Sequence, residues 1–365
     1  MKYFSLFSGI GGFELGIQKA YENLSNTKRQ QQRRFPWNSS NNEQSFLGKE
    51  QPTCVGYSEI DKYATQIYQK HFPEHKNYGD IRKINEKELP DFDLLVGGFP
   101  CQAFSIAGKR KGFEDTRGTL FFDIARIIKR KRPARILLEN VKGLLSHDNG
   151  NTFKTIISTL DELGYDLQWQ VLNSKNFGVP QNRERVFIVG HLRGTPRPKV
   201  FPFRGTNKKD TRNVGKDLSY ALDANYSKGT NTLEKGRRQL VQLNQPKHSN
   251  DRVYSDIGLS PTLNTMQGGR RQPKVAVPVL TPDRPNKRQN GRRLKTNGEP
   301  AFTLTAQDKH GVYDGIKVRR LTPTECCRLQ GFPDRWLTGI SNSQKYKTLG
   351  NAVTVNVIQA ITGGF

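Results

Sequence analysis

Residues 3–17, YFSLFSGIGGFELGI, decide the fold of this chain. Residues 3–7 form a short apolar run typical of a buried strand, residues 8–12 form a glycine-rich turn, and a helix begins at Phe13. Such a turn allows backbone amides at a helix N-terminus to approach a ligand closely. The glycine spacing only approximates a dinucleotide-binding fingerprint, and a turn of this kind also serves simply to join two elements.

The alternation of strand and helix continues along the N-terminal part of the chain. Apolar runs predict strands at residues 54–58, 92–99, 134–138 and 186–189, and a helical pattern covers residues 152–163. This order predicts an α/β fold, with a mostly parallel sheet and helices on both faces. One further helix is predicted from residue 350 to residue 361, returning to the same lobe.

Composition narrows the class of partner. The 365 residues carry 59 lysines and arginines against 33 acidic residues, a formal net charge of +26. This charge indicates an extended anionic partner, for which nucleic acid is the default. No long apolar stretch or signal-like N-terminus indicates a membrane, so we expect a soluble protein of the cytoplasm. The four cysteines lack the spacing of a zinc site, and no metal is expected.

Two acidic residues are placed to recognise a nucleoside. Glu59 directly follows the strand at 54–58, where a carboxylate accepts hydrogen bonds from both hydroxyls of a ribose. Asp80 follows at the expected end of a third strand, a position suited to the amino group of an adenine. Because ligands bind beyond the carboxyl ends of parallel strands, these acids and the glycine turn outline one nucleoside pocket.

Cys101 ends the apolar run at 92–99 and looks like a nucleophile. A strand of a parallel sheet presents its end to the ligand, which favours a reactive position. A lone cysteine is nevertheless most often a small buried residue without reactivity. The loop that follows, residues 102–113, is basic and punctuated by glycine, so it is able to close over an anionic ligand.

Three charged residues accompany this thiol. Glu139 ends the strand at 134–138, where it would neighbour Cys101 across the sheet edge, and Arg183 and Arg185 lead into the strand at 186–189. Arginine at the start of a buried strand is costly unless it has a partner or a function. Each residue alone has a structural alternative, such as a helix cap or an ion pair. Their joint presence calls for a chemical explanation.

Cytosine chemistry supplies that explanation. Carbon 5 of cytosine attacks a methyl donor only after a thiolate has added to carbon 6, because the addition converts the ring into an enamine. Cys101 suits this addition, and Glu139 suits hydrogen bonding to ring N3. Arg185, with Arg183, suits the oxygen at position 2. The target carbon is stacked inside duplex DNA, so the base must rotate out into the pocket.

The motifs resemble, in content and order, those of the DNA (cytosine-5)-methyltransferase family of bacterial restriction-modification systems. The resemblance runs through residues 4–13, 59–61, 79–81, 98–102, 139–141, 181–185, 320–326 and 350–353. It implies the Rossmann-like fold of S-adenosylmethionine-dependent methyltransferases, with Cys101 as nucleophile and Glu139 and Arg185 as its helpers. It also implies S-adenosylmethionine as methyl donor, bound by Phe7, Gly9, Gly11, Gly12, Glu59, Asp80, Ile81, Pro100, Leu120 and Asn351.

The resemblance implies three parts. Residues 1–200 are the catalytic and cofactor-binding domain with a surface insert at about 23–52, residues 201–318 are a smaller β-rich target-recognition domain, and residues 319–365 complete the catalytic domain. The family places a Thr-Leu pair near the flipped base, and Thr303-Leu304 competes here with Thr262-Leu263. Arginine both holds phosphates and reads guanine. The predicted DNA contacts are Gln102, Ser105, Lys109, Arg110, Arg270, Arg271, Thr303 and Leu304.

The sequence therefore predicts a bacterial or phage-encoded monomer that methylates cytosine in double-stranded DNA, beside a cognate restriction endonuclease. Three alternatives stay open. A transfer-RNA cytosine methyltransferase would share the Pro-Cys nucleophile, and a DNA-binding protein could keep the fold without catalysis. A nicotinamide-linked dehydrogenase would explain the glycine turn but neither Cys101 nor the charge. The recognition sequence depends on side-chain geometry that the residues alone do not give.

Overall fold

A computed structural model describes residues 1–34, 51–100, 120–201, 203, 253–255, 274–280, 295, 299–306, 309–313 and 318–365. By the density of its contacts the chain divides into two units. The large unit comprises Met1–Leu172, Glu184–Phe203 and Ala352–Phe365. The small unit comprises Asn173–Arg183 and Arg204–Asn351.

The described residues form ten strands and seven α-helices, and strand and helix alternate along most of the large unit. In chain order they are β1 (Lys2–Leu6), α1 (Gly12–Arg34), β2 (Thr53–Ser58), α2 (Lys62–His71), β3 (Leu94–Gly98), α3 (Leu120–Lys131), β4 (Arg135–Val141), α4 (Asn151–Glu162), β5 (Tyr165–Asn173), β6 (Glu184–Leu192), β7 (Val253–Ser255), β8 (Lys274–Leu280), β9 (His310–Tyr313), β10 (Val318–Arg320), α5 (Pro323–Leu329), α6 (Asn342–Asn351) and α7 (Val355–Thr362). Short 3-10 turns lie at Ile81–Lys83, Lys142–Leu145, His147–Gly150 and Ser174–Phe177.

The six-stranded sheet of the large unit has the order β2-β1-β3-β4-β6-β5. The adjacent strands β2, β1, β3 and β4 run parallel to one another, and β6 runs antiparallel to β4. The predicted α/β fold with a mostly parallel sheet is therefore confirmed. Because β6 is reversed, its first residues lie at the edge where β4 ends, with Arg185 opposite Val141.

The core of the large unit lies between this sheet and its helices. The strands are nearly continuous apolar runs, and Phe4, Leu95 and Ile136 are all completely buried. Helix α3 presents Ile124 and Ile128 to the same core, at the four-residue spacing of one helix face. Each such side chain contributes about 1.5–3 kcal/mol by leaving water. This burial fixes the sheet that carries the site.

The first part of the predicted surface insert at about 23–52 continues a helix. Helix α1 continues to Arg34, so residues 23–34 are helical. The reason is local, since this stretch contains many good helix formers and has no proline or glycine before Pro36.

Two further predictions are corrected by the backbone. Asp80 follows no strand, because the backbone of residues 76–80 pairs with β2 at an isolated bridge between Tyr57 and Asn77 and forms no ladder. The predicted helix from 350 to 361 is two helices, since α6 ends at Asn351 and the extended residue Thr354 caps a new helix, α7. Helix α7 packs closely on α1, where Gly16 lies against Ile358.

The described part of the small unit contains a four-stranded sheet of order β10-β9-β8-β7. Strand β9 runs antiparallel to both neighbours, and β7 is parallel to β8. Helices α5 and α6 pack against each other in this unit, so residues 319–351 of the predicted return segment group with the small unit and only Ala352–Phe365 with the large one. Over the described ranges, no helix is long and apolar enough to cross a membrane.

Candidate active site

The glycine turn between β1 and α1 forms one wall of the candidate site. Phe7, Gly9 and Gly11 have φ angles of 53°, 56° and 87°, a conformation that side chains of L-residues rarely adopt. A Cβ atom at Gly11 would lie 2.6 Å from Phe72 Cε2, so the turn requires glycine there. At Gly9 a Cβ atom would meet no described atom within 4 Å. As far as the described residues show, the turn therefore leaves open space at the N-terminus of α1, which begins at Gly12.

Glu59 borders this open space from the end of β2. Its Oε2 accepts from Gly9 N at 2.9 Å, and its Oε1 accepts from Ile60 N and Asp61 N at 2.8 and 2.7 Å. Three backbone amides thus fix the carboxylate between two strand ends. Since a carboxylate offers about four acceptor positions, Oε2 still has a lone pair for a hydroxyl donor.

Asp80 is the second acid of the site. Its Oδ1 accepts from Arg82 N at 3.1 Å and caps the turn Ile81–Lys83, and its Oδ2 lies 2.6 Å from Arg82 Nη2. Hydrogen bonding to the Arg82 guanidinium holds the pKa of Asp80 below its usual value, so this carboxylate is ionised at neutral pH. The Ile81 side chain is buried in the core, which leaves only its backbone for a ligand.

Glu139 and Arg185 form a nearly buried ion pair at the carboxyl end of β4. Arg185 Nε lies 3.1 Å from Glu139 Oε1, and their side chains are 16% and 11% exposed. Arg185 Nη1 also donates to Glu184 O at 2.8 Å. A buried pair of this kind holds its geometry firmly, because separating the charges leaves one of them without compensation.

The end of β3 lies directly beside Glu139 of this ion pair. Gly98 lies opposite Glu139 in the sheet, and a Cβ atom at Gly98 would come within 3.1 Å of Glu139 Oε2. Asn140 Nδ2 donates to Phe99 O at 2.9 Å and ties β4 to the segment that leads to Pro100. The glycine therefore makes room for the carboxylate next to the chain that continues into Cys101.

The three described thiols are unsuited to nucleophilic chemistry. Cys54, Cys326 and Cys327 are all buried. Burial raises the pKa of Cys54 and of Cys327 to about 12 and raises that of Cys326 as well. A thiol that stays protonated is not a nucleophile. Cys101 is the fourth cysteine and lies outside the described residues.

Arg183 is used inside the small unit. Its side chain is buried, and its guanidinium donates to Leu304 O at 2.7 Å and to Gly350 O at 3.2 Å. These bonds hold three separate chain segments together. The guanidinium therefore bonds to backbone carbonyls of the small unit, and the predicted contact of Arg183 with a cytosine oxygen stays a prediction.

The nearby residue Gln181 also holds separate segments of the small unit together. It is completely buried, accepts from Leu304 N at 2.8 Å and donates to Leu329 O at 2.8 Å. Thr303 donates from its hydroxyl to Asn182 O. The pair Thr303-Leu304 is thus bound to the segment that precedes β6.

The other predicted site residues are distributed as follows. Leu120 is the half-buried first residue of α3, Pro100 is exposed after β3, and Asn351 is the exposed last residue of α6 in the small unit. The alternative pair Thr262-Leu263 lies outside the described residues. Also outside them are Cys101, Gln102, Ser105, Lys109, Arg110, Arg270 and Arg271.

Sequence reasoning missed two residues beside the acids. Ile60 adjoins Glu59 and, at 71% exposed, is the most exposed of the large apolar side chains that the structure describes. Asn77 hydrogen-bonds both backbone groups of Glu59. An isoleucine between two acids is a visible signal in the sequence, whereas the role of Asn77 depends on chain pairing. Among the residues that the structure covers, no group of three or more metal-ligating side chains is placed to hold a metal ion.

The fold and these contacts define a class of protein. A glycine turn and a fixed carboxylate at adjacent strand ends are typical of α/β enzymes that use a nucleoside cofactor. Comparison with known families is more specific. The chain belongs to the family of C-5 cytosine-specific DNA methylases, which it matches over residues 1–364. It is therefore a DNA (cytosine-5)-methyltransferase, and the predicted family and enzyme class are confirmed.

Similar proteins come from phages and bacteria. The chain is 38% identical to the orphan methyltransferase M.SPRI of Bacillus phage SPR, over 99% of this chain and 96% of that protein. It is 35% identical to the type II methyltransferase M.HhaI of Haemophilus parahaemolyticus, over 99% and 93%. A solved structure of a Spodoptera frugiperda DNMT2 mutant matches 98% of this chain and 97% of its own, with a TM-score of 0.54 and 19% identity. At that identity the likeness shows the fold alone.

Proposed function

We propose that this enzyme rotates a cytosine out of a specific duplex DNA sequence and methylates carbon 5 through a covalent bond between Cys101 and carbon 6. The observation that carries the proposal is the ion pair of Glu139 and Arg185. Glu139 lies opposite Gly98 in the sheet, and Gly98 precedes Cys101 by three residues in the chain. A carboxyl group and a guanidinium fixed side by side match the N3 and O2 edge of a cytosine.

The steps follow from the proposed positions of these groups. The Cys101 thiolate forms a bond to carbon 6 while Glu139 holds a proton at ring N3, which makes carbon 6 electrophilic. Arg185 holds the oxygen at position 2 and keeps Glu139 in place. After carbon 5 has received the methyl group, a base removes the proton from carbon 5. The bond between carbon 6 and sulfur then breaks, which restores the aromatic ring and the free thiolate.

S-adenosylmethionine supplies the methyl group from its sulfonium when it is bound. The residues at the strand ends fit this cofactor, because Glu59 keeps an acceptor for a ribose hydroxyl and Ile60 offers an exposed apolar surface to an adenine. Asp80 is suited to the adenine amino group. We assign the binding site to Phe7, Gly9, Gly11, Gly12, Glu59, Asp80, Ile81, Pro100, Leu120 and Asn351.

The partner that we propose is double-stranded DNA in the cytoplasm of a bacterium, bound by one copy of the chain. The net charge of +26 supports a polyanionic partner. Relatives named type II methyltransferases support a cognate restriction endonuclease that acts on the same sequence. Relatives named orphan methyltransferases support action without one. The small unit, with Thr303 and Leu304, is our candidate for target recognition.

The test of the covalent step uses duplex DNA that carries 5-fluorocytosine. Fluorine cannot leave carbon 5 as a proton does, so the wild-type protein with S-adenosylmethionine is expected to form a covalent complex that survives denaturation. Cys101→Ser is expected to form none, and Cys327→Ser is the control that keeps full complex formation. Failure of the wild-type protein to form the complex, or an undiminished complex with Cys101→Ser, would contradict the proposal.

The substrate is tested separately. Bisulfite sequencing of DNA from cells that express the chain is expected to show modified cytosine at one recurrent sequence. Transfer of labelled methyl groups to duplex DNA and to transfer RNA distinguishes the two kinds of substrate. Labelling of transfer RNA alone would contradict the assignment of DNA as substrate.

A further inference from the structure

Asn77 lies on a segment that runs beside the end of β2. Tyr57 N donates to Lys76 O at 2.9 Å, and Tyr78 N donates to Tyr57 O at 2.7 Å. These backbone bonds hold the segment in register with the strand. Asn77 thereby comes to face the backbone of Glu59.

The side-chain amide of Asn77 joins two predicted ligand-binding segments. Its Oδ1 accepts from Glu59 N at 3.3 Å and from Gly79 N at 2.9 Å, and its Nδ2 donates to Glu59 O at 3.1 Å. Ser58 Oγ adds a bond to Gly79 O at 2.6 Å. Gly79, with φ of 69°, turns the chain into Asp80. One planar amide therefore sets the distance between the backbones that carry Glu59 and Asp80.

The arrangement leaves space beside Gly79 among the described residues. A Cβ atom at Gly79 would meet no described atom within 4 Å, as at Gly9. The Glu59 carboxylate is itself held by three amides, so its position depends on where the backbone of residues 59–61 lies. Asn77 holds that backbone by both the N–H and the C=O of Glu59.

We propose that Asn77 is a positioning residue for the nucleoside half of the methyl donor. It acts by holding Glu59 for the ribose and Asp80 for the adenine. This inference rests on the proposed function, because it requires S-adenosylmethionine to bind at these strand ends. Neither alanine nor aspartate can make the three hydrogen bonds of the Asn77 amide. Alanine has neither donor nor acceptor, and aspartate would set a carboxylate oxygen against the Glu59 carbonyl.

The first measurement is the affinity for S-adenosylhomocysteine, which carries the same nucleoside. Calorimetric titration of the full-length protein is expected to show binding about tenfold weaker for Asn77→Ala than for wild type, the effect of about one net hydrogen bond. The value of kcat at saturating S-adenosylmethionine is expected to stay within about twofold, because Glu139 and Arg185 are held by other elements.

The matched control is Asn85→Ala. Asn85 is also in the large unit, and like Asn77 it accepts from the backbone amide two residues further on. Its Oδ1 accepts from Lys87 N at 3.2 Å, and its Nδ2 donates to Glu88 Oε1 at 2.6 Å. These bonds involve neither Glu59 nor Gly79. Asn85→Ala is therefore expected to bind S-adenosylhomocysteine with the affinity of wild type.

A second ligand separates positioning from a general loss of structure. An analogue of S-adenosylhomocysteine without the ribose 2′ and 3′ hydroxyls cannot bond to Glu59, so the penalty of Asn77→Ala is expected to shrink to about threefold for it. Equal penalties for the two ligands would overturn the inference, and so would an unchanged affinity for S-adenosylhomocysteine. A wild-type protein that binds neither S-adenosylmethionine nor S-adenosylhomocysteine would instead overturn the proposed function.

A second variant covers the case in which Asn77→Ala fails to fold. Asn77→Asp keeps the acceptor for both amides and replaces the donor to Glu59 O with a carboxylate oxygen, which repels that carbonyl. Asn77→Asp is expected to weaken binding of S-adenosylhomocysteine more than binding of the analogue without ribose hydroxyls. Equal effects of Asn77→Asp on the two ligands would overturn the inference.

Discussion

Replacing Glu14 with glutamine is expected to stabilise the large unit at and above neutral pH and to change little in acid. Glu14 is the third residue of α1 and is completely buried. Its Oε1 accepts from the Tyr68 hydroxyl at 3.1 Å, and the Ser5 side chain also hydrogen-bonds this carboxyl group. Among the described residues, Oε2 has no hydrogen-bond partner.

The size of the expected change in the free energy of unfolding follows from the proton that Glu14 holds. Burial raises the pKa of Glu14 from 4.5 to about 7. The stabilisation from this proton is complete below pH 4.5, where the unfolded chain is protonated too, and is lost as the pH rises to about 7. At about 1.4 kcal/mol per pH unit the loss is about 3 kcal/mol. Glutamine keeps the shape and the acceptor without ionising, so it avoids this loss.

Hydrogen exchange of the α1 amides, measured between about pH 5 and about pH 8 and corrected for the intrinsic exchange rate, reports this unit alone. The free energies of opening of wild type and Glu14→Gln should diverge as the pH rises. Glu74→Gln, at an exposed position after α2, is the control and should follow wild type. Parallel curves for Glu14→Gln and wild type, or a less stable Glu14→Gln at about pH 8, would refute a protonated Glu14.

Two glycine substitutions test close approaches in the large unit. Gly98→Ala would place a Cβ atom 3.1 Å from Glu139 Oε2, so we expect about a tenfold lower kcat with unchanged stability. The control is Gly143→Ala, where a Cβ atom meets no described atom within 4 Å. Equal kcat values for the two variants would contradict this expectation. Gly16→Ala would place a Cβ atom 2.6 Å from Ile358 Cβ, so we expect a loss of about 1–3 kcal/mol in urea unfolding as α1 and α7 separate. An unchanged unfolding midpoint for Gly16→Ala would show that these helices adjust without strain.

Local patterns in the sequence predicted the sheet well. The apolar runs around Phe4, Leu95, Leu137 and Ile188 are buried strands, because each run is long enough to cross the core and is bounded by turn residues. The position of Glu139 beside the end of β3 also followed, since parallel strands end at one edge. These features depend on residues that are close in sequence.

Features that depend on distant pairing were missed or misassigned. Asp80 is predicted at a strand end, whereas its position depends on the side-chain bonds of Asn77 to Gly79 and to Glu59, directly after β2. Arg183 is predicted to contact the cytosine together with Arg185, and the sequence gives no sign that its guanidinium also meets Leu304 O, more than a hundred residues away. No periodicity or propensity records such partners. The contacts of Cys101 and of the recognition arginines stay predictions.

The three amides around Glu59 have a consequence for the thermodynamics of binding. A free glutamate side chain loses rotamer freedom when a ligand immobilises it, at a cost of about 0.5–1.5 kcal/mol. Gly9 N, Ile60 N and Asp61 N already restrict this side chain in the folded protein. That entropy is lost during folding, so a ribose that binds to Glu59 meets an acceptor that needs no further ordering.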